Sequence, residues 1–243
     1  MKKLISLKMI FLYLLIILSV LIIFNNNDKN NITYINIGDG YAKGKNSYYI
    51  NDYGYSDYLK DKIEKDNKLK EYNSIFTDND NTINDIKIYL SNSRKNDIAS
   101  QKKSLKSYLQ EADIVTLSVG MNDLKSLLLI EEEMNKEKYN TIISKVEKEY
   151  DDLIKEIKKY YRHNIYVVEY PNNSLDSYYL SKAIRSFNNY LRNKKDIVLI
   201  PITKLENDRN KYFDSTKSNY YNKNGHQLIS SIIYKKYKKT WKI

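Results

Sequence analysis

Three short segments of this 243-residue chain carry residue types that α/β enzymes use at the turns after their strands. The first is Gly38-Asp39-Gly40, at the end of the apolar run Ile32–Ile37. The second is Gly120-Met121-Asn122-Asp123, after the run Ile114–Val119. The third is Tyr220-Tyr221-Asn222-Lys223-Asn224-Gly225-His226, in which Asn222 is the expected N-cap of a last helix. A glycine-rich turn leaving a buried strand is where α/β enzymes often carry a nucleophile. The first turn has the glycines but no Ser, Cys or Thr. An active-site turn without a reactive residue is the question the sequence raises.

Little else stands in for it. There is no Cys, which excludes disulfides, a thiol nucleophile, thiolate zinc sites and a lipid-modified cysteine. The two histidines, His163 and His226, leave little material for a His-based metal site, though carboxylates could still bind a hard cation; no metal or cofactor is the expectation. His163 precedes a strand and belongs at the amino end of the sheet, away from the turns; His226 reads as a packed residue inside the last helix. Ser47, Ser215 and Ser218 read as solvated or packed. Asp39 could act as a base on water, the lesser of its readings. Asn122 has two open readings, ligand contact or hydrogen bonding to nearby backbone. Asp123 reads as a helix-start residue.

The elements that must position these turns alternate. Short apolar runs at Ile32–Ile37, Tyr72–Phe76, Ile114–Val119, Ile165–Glu169 and Ile197–Ile200 read as strands. Helical patterns lie between them. One starts at Ser56, one at Asn81 or Thr82, and one runs from Ser100 to Ala112. The longest, Lys138 to Tyr161, has Ile142, Ile143, Val146, Tyr150, Leu153, Ile154 and Ile157 on one stripe. Two more span Ser177–Asn193 and Lys223–Lys239. Alternation with continuous apolar strands predicts a parallel sheet covered by helices on both faces, with the ligand site beyond the strands' carboxyl ends.

Outside that domain, Lys2, Lys3 and Lys8 flank an uncharged run from Met9 to Phe24 that ends without a small-x-small cleavage site. Residues 1–24 are expected to be an uncleaved signal anchor, a single transmembrane helix with the N-terminus inside; a cleaved signal peptide is the alternative. Residues 25–31 form a polar linker and 32–243 one domain, placed outside the cytoplasm at the cell membrane. Net charge is +11, but Lys rises together with Asn, Ile and Tyr, as an AT-biased coding sequence would give. No nucleic-acid motif accompanies the charge, so nucleic acid is not the expected partner. The 25 tyrosines include the runs around Tyr48–Tyr58 and Tyr220-Tyr221, which would flank a pocket mouth and suit envelope polysaccharide. The bland alternative is that Tyr serves as a common apolar residue. The basic, aromatic tail from Tyr234 reads as a solvated helix end or a contact for anionic polymer or lipid head groups.

The three turns, in this order and spacing, resemble the SGNH/GDSL hydrolase family. Gly38-Asp39 matches the start of its Gly-Asp-Ser block, Gly120-x-Asn122-Asp123 its Gly-x-Asn-Asp block, and the Tyr220–His226 segment its last block. The resemblance covers about residues 32 to 239. It implies a three-layer α/β/α sandwich with about five parallel strands. It also implies a Ser nucleophile on the first turn, a His base in the last loop oriented by an Asp three residues earlier, and an oxyanion hole from Asn, Gly and backbone N–H groups. This chain departs at nearly every one of those positions. Gly40 stands at the Ser position, Tyr220 at the His, Lys217 at the Asp and Asp80 at the oxyanion Gly; Asn122 is retained. The expectation is therefore a catalytically degenerate member with a binding or cell-envelope role around Asp39, Gly40, Gly120, Asn122 and Tyr220. The alternative is an active esterase or acyltransferase on envelope glycans or lipids with a non-standard nucleophile, which requires a Ser and a base to meet near Asn122.

Overall fold

The computed structural model describes residues 12–17, 19, 31–91, 103–130, 134–172 and 177–240. Strand β1, Ile32–Gly38, is buried at every position, as befits the centre of a sheet covered on both faces. It pairs in parallel with β2 (Leu69–Thr77) on one side and β3 (Ile114–Ser118) on the other; β4 (Ile165–Val168) and β5 (Ile197–Ile200) follow outward. The order is β2-β1-β3-β4-β5, and all four pairings are parallel.

Helix α1 (Gly40–Lys43) follows β1 directly, and α2 (Tyr55–Lys65) makes the crossover to β2. Then come α3 (Ile83–Ser91), α4 (Leu105–Glu111), α5 (Met121–Ile130), α6 (Lys136–Lys158) and α7 (Tyr178–Arg192). The short α8 (Thr203–Glu206) and α9 (Arg209–Tyr212) lead to the last helix, α10 (Lys223–Thr240). Helices α2 and α10 pack together on one face; α3, α5, α6 and α7 pack on the other. Strand order reverses between β1 and β3, so the crevice at their carboxyl ends is the switch point where such sheets bind ligands. Gly38 and Ser118, the last residues of the two strands, are register partners there.

Local chemistry sets most of the boundaries. Ser104, Asn135 and Ser177 accept from backbone N–H groups as N-caps of α4, α6 and α7. The stripe of α6 is buried from Tyr139 to Ile157, and each aliphatic side chain so placed is worth about 1.5–3 kcal/mol. Three expectations shift. Strand β2 extends to nine residues, because an edge strand half exposed along its length lacks a continuous apolar run. Helix α2 begins at Tyr55, not with Ser56 as cap: the Asp57 carboxylate accepts from Gly54 N–H at 2.9 Å, and Ser56 is buried inside the helix. Helix α6 begins two residues earlier than expected and stops at Lys158. Most of the expected signal anchor and linker lies outside the described residues. Residues 12–17 are helical, and among the described residues no helix is long and apolar enough to cross a membrane.

Candidate functional site

The turn after β1 is built around Asp39. Gly38 has φ +143°, and a Cβ there would stand 1.9 Å from the carbonyl oxygen of Ser118, so the two strand ends meet only because position 38 is glycine. Asp39 N–H donates to that same carbonyl at 2.7 Å. The Asp39 side chain caps α1: Oδ1 accepts from Tyr41 N–H at 3.0 Å and from Ser118 Oγ at 3.1 Å, and Oδ2 accepts from the Tyr170 hydroxyl at 3.0 Å. Asp39 is 1 % exposed. Burial pushes its carboxyl up to about 7 against these three donors, so it is partly protonated at neutral pH.

Gly40 begins α1, buried, where the family's nucleophile would stand. The space that a side chain at Gly40 would enter holds Lys45, whose Cδ is 3.0 Å from an ideal Cβ, with Asn79 Oδ1 at 3.4 Å. Lys45 continues outward until its ammonium lies 4.6 Å from the centroid of the Tyr49 ring. That Asn79 oxygen is buried and, among the described residues, accepts no hydrogen bond.

Asn122 sits at the start of α5 and turns its amide nitrogen to two backbone carbonyls, Asn79 O and Asn81 O, each at 3.0 Å. Only the nitrogen can donate to a carbonyl, so both amide hydrogens are committed to the β2–α3 loop. Asp123 is buried and accepts from Ile83 N–H at 3.2 and 3.1 Å, capping the start of α3 across the groove. Desolvation pushes its carboxyl up to about 6. Gly120, at φ +122°, lets the Phe187 ring approach to 2.9 Å of where a Cβ would be. Asp80 is exposed, and its N–H donates to Asp78 Oδ1 at 3.3 Å.

In the last loop Lys217 is exposed within a turn closed by Ser218 N–H to Ser215 O at 3.1 Å. Tyr220 stacks on Tyr41, centroids 5.8 Å apart and planes 18° apart, and meets Tyr49 edge-on at 6.0 Å. Burial, with Tyr49 and Asp39 nearby, pushes its phenol up to about 12, so it is no base at neutral pH. His226 is buried in α10 with Nδ1 accepting Tyr55 N–H at 3.1 Å, and desolvation pulls it down to about 4. It is a neutral imidazole that serves the start of α2. His163 lies between α6 and β4 at the amino end of the sheet.

The fold therefore brings Asp39, Gly40, Asn122 and Tyr220 to one end of the sheet, while Asp80 and Lys217 face solvent. At this end the Ser118 hydroxyl donates to the Asp39 carboxylate at 3.1 Å, yet Ser118 is 1 % exposed and seated beneath the turn. Sequence reasoning missed Tyr41, Lys45, Asn79, Ser118 and Tyr170. Ser118 and Tyr170 lie at the ends of β3 and β4 on the switch-point side, which was the available signal. Tyr170 also lines a polar cavity of about 380 Å³ with Glu169, Arg185 and Arg192, whose guanidinium Nε donates to Glu169 at 2.6 Å.

Around the mouth, residues 46–50 form a tight loop. Asn46 Oδ1 accepts from Tyr48 and Ile50 N–H groups at 3.0 and 3.1 Å, and Tyr49 adopts φ +62°, a left-handed conformation unfavourable for a bulky residue. The result is an outward display of Tyr48, 82 % exposed, and Tyr49, 69 % exposed. Asp214 Oδ2 accepts Ser47 N–H at 2.8 Å and ties this loop to the last one.

This geometry is that of a parallel α/β hydrolase scaffold. Residues 34–233 match the family model described as GDSL-like Lipase/Acylhydrolase, and the chain belongs to that family. Its fold is similar to that of an acetylxylan esterase from Geobacillus stearothermophilus (14 % identity, TM-score 0.55), with 89 % of this chain and 96 % of that one covered. It is similar also to a lipolytic protein of the G-D-S-L family from Veillonella parvula (14 % identity, TM-score 0.54, 84 % and 97 % covered). A lipase/acylhydrolase from Enterococcus faecalis gives 14 % identity and TM-score 0.51, with 86 % and 96 % covered. A search of curated proteins finds no match.

Proposed function

We propose that this chain is a membrane-anchored, exported member of the GDSL family that has given up ester hydrolysis and uses the mouth of the old active site to bind envelope polysaccharide. The observation that carries the loss of hydrolysis is the state of the nucleophile's place. The stem of Lys45 runs through the space beside Gly40, and both amide hydrogens of Asn122 are bound to backbone carbonyls. An acyl-transfer site needs a nucleophile within reach of a base and free donors aimed at the developing oxyanion. Ser118 and Asp39 supply the contact that the hydrolase alternative requires, but beneath the turn and out of reach of a bulky ester.

The binding half rests on the tyrosines. Tyr48, Tyr49 and Tyr220 put aromatic faces at the mouth, with the Lys45 ammonium among them, a combination suited to stacking on sugar rings and pairing with their polar groups. The anchor rests on the lysine-flanked apolar run Met9–Phe24.

Two experiments test the reading. A fluorophosphonate probe, which labels activated serines covalently, should leave the protein's mass unchanged; labelling of any Ser overturns the loss of hydrolysis. Because the chain has no native cysteine, Ser218→Cys reports topology directly. Reaction with a membrane-impermeant maleimide on intact cells is expected, and reaction only after lysis would contradict export.

A further inference from the structure

The amino end of the sheet is where the N-terminal segment enters the domain. Ile32 N–H donates to Lys68 O at 2.8 Å, and Ile32 pairs with Leu69, so β1 starts beside the turn that follows α2. Asp66, in that turn, holds the Lys238 ammonium at 2.7 Å and the Tyr234 hydroxyl, which ties the C-terminal half of α10 to the same place. Between the two helices opens a cavity of about 360 Å³ lined by Lys62, Ser231, Tyr234, Lys235, Lys238 and Lys239. Asp66 balances Lys238, but among the described residues Lys62, Lys235 and Lys239 have no carboxylate partner.

Helix ends favour lysine in their last turn, which explains cations on α2 and on α10 taken singly. It does not explain why cations from both helices surround one cavity beside the point of chain entry. We propose that this end of the domain is a lipid-facing surface whose lysine cavity seats the phosphate headgroups of anionic lipids. The inference rests on the anchored reading above. A fully extended linker over residues 25–31 reaches no more than about 25 Å, so an anchored domain meets the bilayer with this end. Lysines brought to an anionic surface are attracted within about a Debye length, and Tyr234 supplies an aromatic ring of the kind found at the interface. The tyrosine-lined mouth, at the opposite end of the strands, then faces away from the membrane towards its polymer.

The test uses the full chain in lipid nanodiscs, one set of phosphatidylcholine and one of equal parts phosphatidylcholine and phosphatidylglycerol. Acetylation of individual lysines is read by mass spectrometry. The chain is expected to travel with both sets. Labelling of Lys62, Lys235 and Lys239 should fall about fivefold in the anionic discs and recover with added salt, while Lys217 and Lys223 at the far end stay unchanged. The triple variant Lys62→Gln, Lys235→Gln, Lys239→Gln should remove the lipid-dependent protection of Lys238. Equal labelling in both lipids, with the chain in the discs, overturns the surface and leaves the anchor standing. A chain that elutes free of discs overturns the anchor and this inference with it. Protection by inorganic phosphate in phosphatidylcholine discs would assign the cavity to a free anion and overturn the lipid.

Discussion

Replacing Asp39 by Asn should change how stability depends on pH in a way that isolates one carboxyl. Burial holds Asp39 near 7 in the folded chain against 3.8 for the free side chain. The folded state thus binds a proton that the unfolded chain has already released, and stability falls as pH rises between about 4 and 7. A carboxyl raised that far is worth about 4 kcal/mol of stability, present in full below pH 4 and lost above 7. Asp123, pushed up to about 6, acts in the same direction. His226, pulled down to about 4, acts oppositely: its contribution is present above about 6.5 and lost as pH falls towards 4. The wild-type profile mixes all three, but subtracting the Asp39→Asn profile removes the other two. Asn keeps the acceptor for Tyr41 N–H and Ser118 Oγ, and its amide can donate to Tyr170. Urea titrations at pH 5 and pH 8 should show the variant gaining on wild type by about 2.6 kcal/mol between the two, since part of the shift lies below pH 5. Parallel wild-type and variant profiles would refute the assignment of a buried Asp39 that holds its proton up to about pH 7.

Other expected outcomes follow from the same geometry. Gly38→Ala forces a Cβ to 1.9 Å from Ser118 O at φ +143° and should cost on the order of 4 kcal/mol in denaturant, enough to prevent accumulation of folded protein. Asn122→Ala leaves two carbonyls without their donor and should cost about 2 kcal/mol of stability; an unchanged unfolding midpoint would show that its amide is not committed to the loop. Tyr220→Ala should weaken retention in polysaccharide-containing native gels about fivefold with an unchanged circular dichroism spectrum, the loss of one aromatic contact.

Much of the architecture was legible because burial on both faces leaves strands apolar along their length. Ile32–Ile37 and Ile114–Val119 could hardly be anything else, and the α6 stripe repeats at helical spacing along the whole helix. Edge strand β2 was underestimated for the converse reason, since Lys70, Glu71 and Asn73 interrupt it. The departures at Gly40, Tyr220, Lys217 and Asp80 could be read from spacing. What filled the vacated space could not. Lys45 reaches Gly40 from five residues downstream because α1 ends in a left-handed Gly44, and nothing in a linear pattern announces that approach. Likewise the cap that Asp123 provides belongs to α3, forty residues earlier, rather than to the helix on which Asp123 lies. Such contacts arise from packing of distant elements, which periodicity does not encode.

The central claim, that the turn is a hydrolase turn without hydrolysis, is tested most directly by turnover of a short-chain aryl ester. The wild-type chain, Ser118→Ala and a heat-denatured control would be measured side by side. The structure predicts the same background rate for all three, because position 40 carries no nucleophile and Ser118 is buried under the turn. Wild-type turnover above background that Ser118→Ala abolishes would contradict it and make Ser118, with Asp39, a working nucleophile and base.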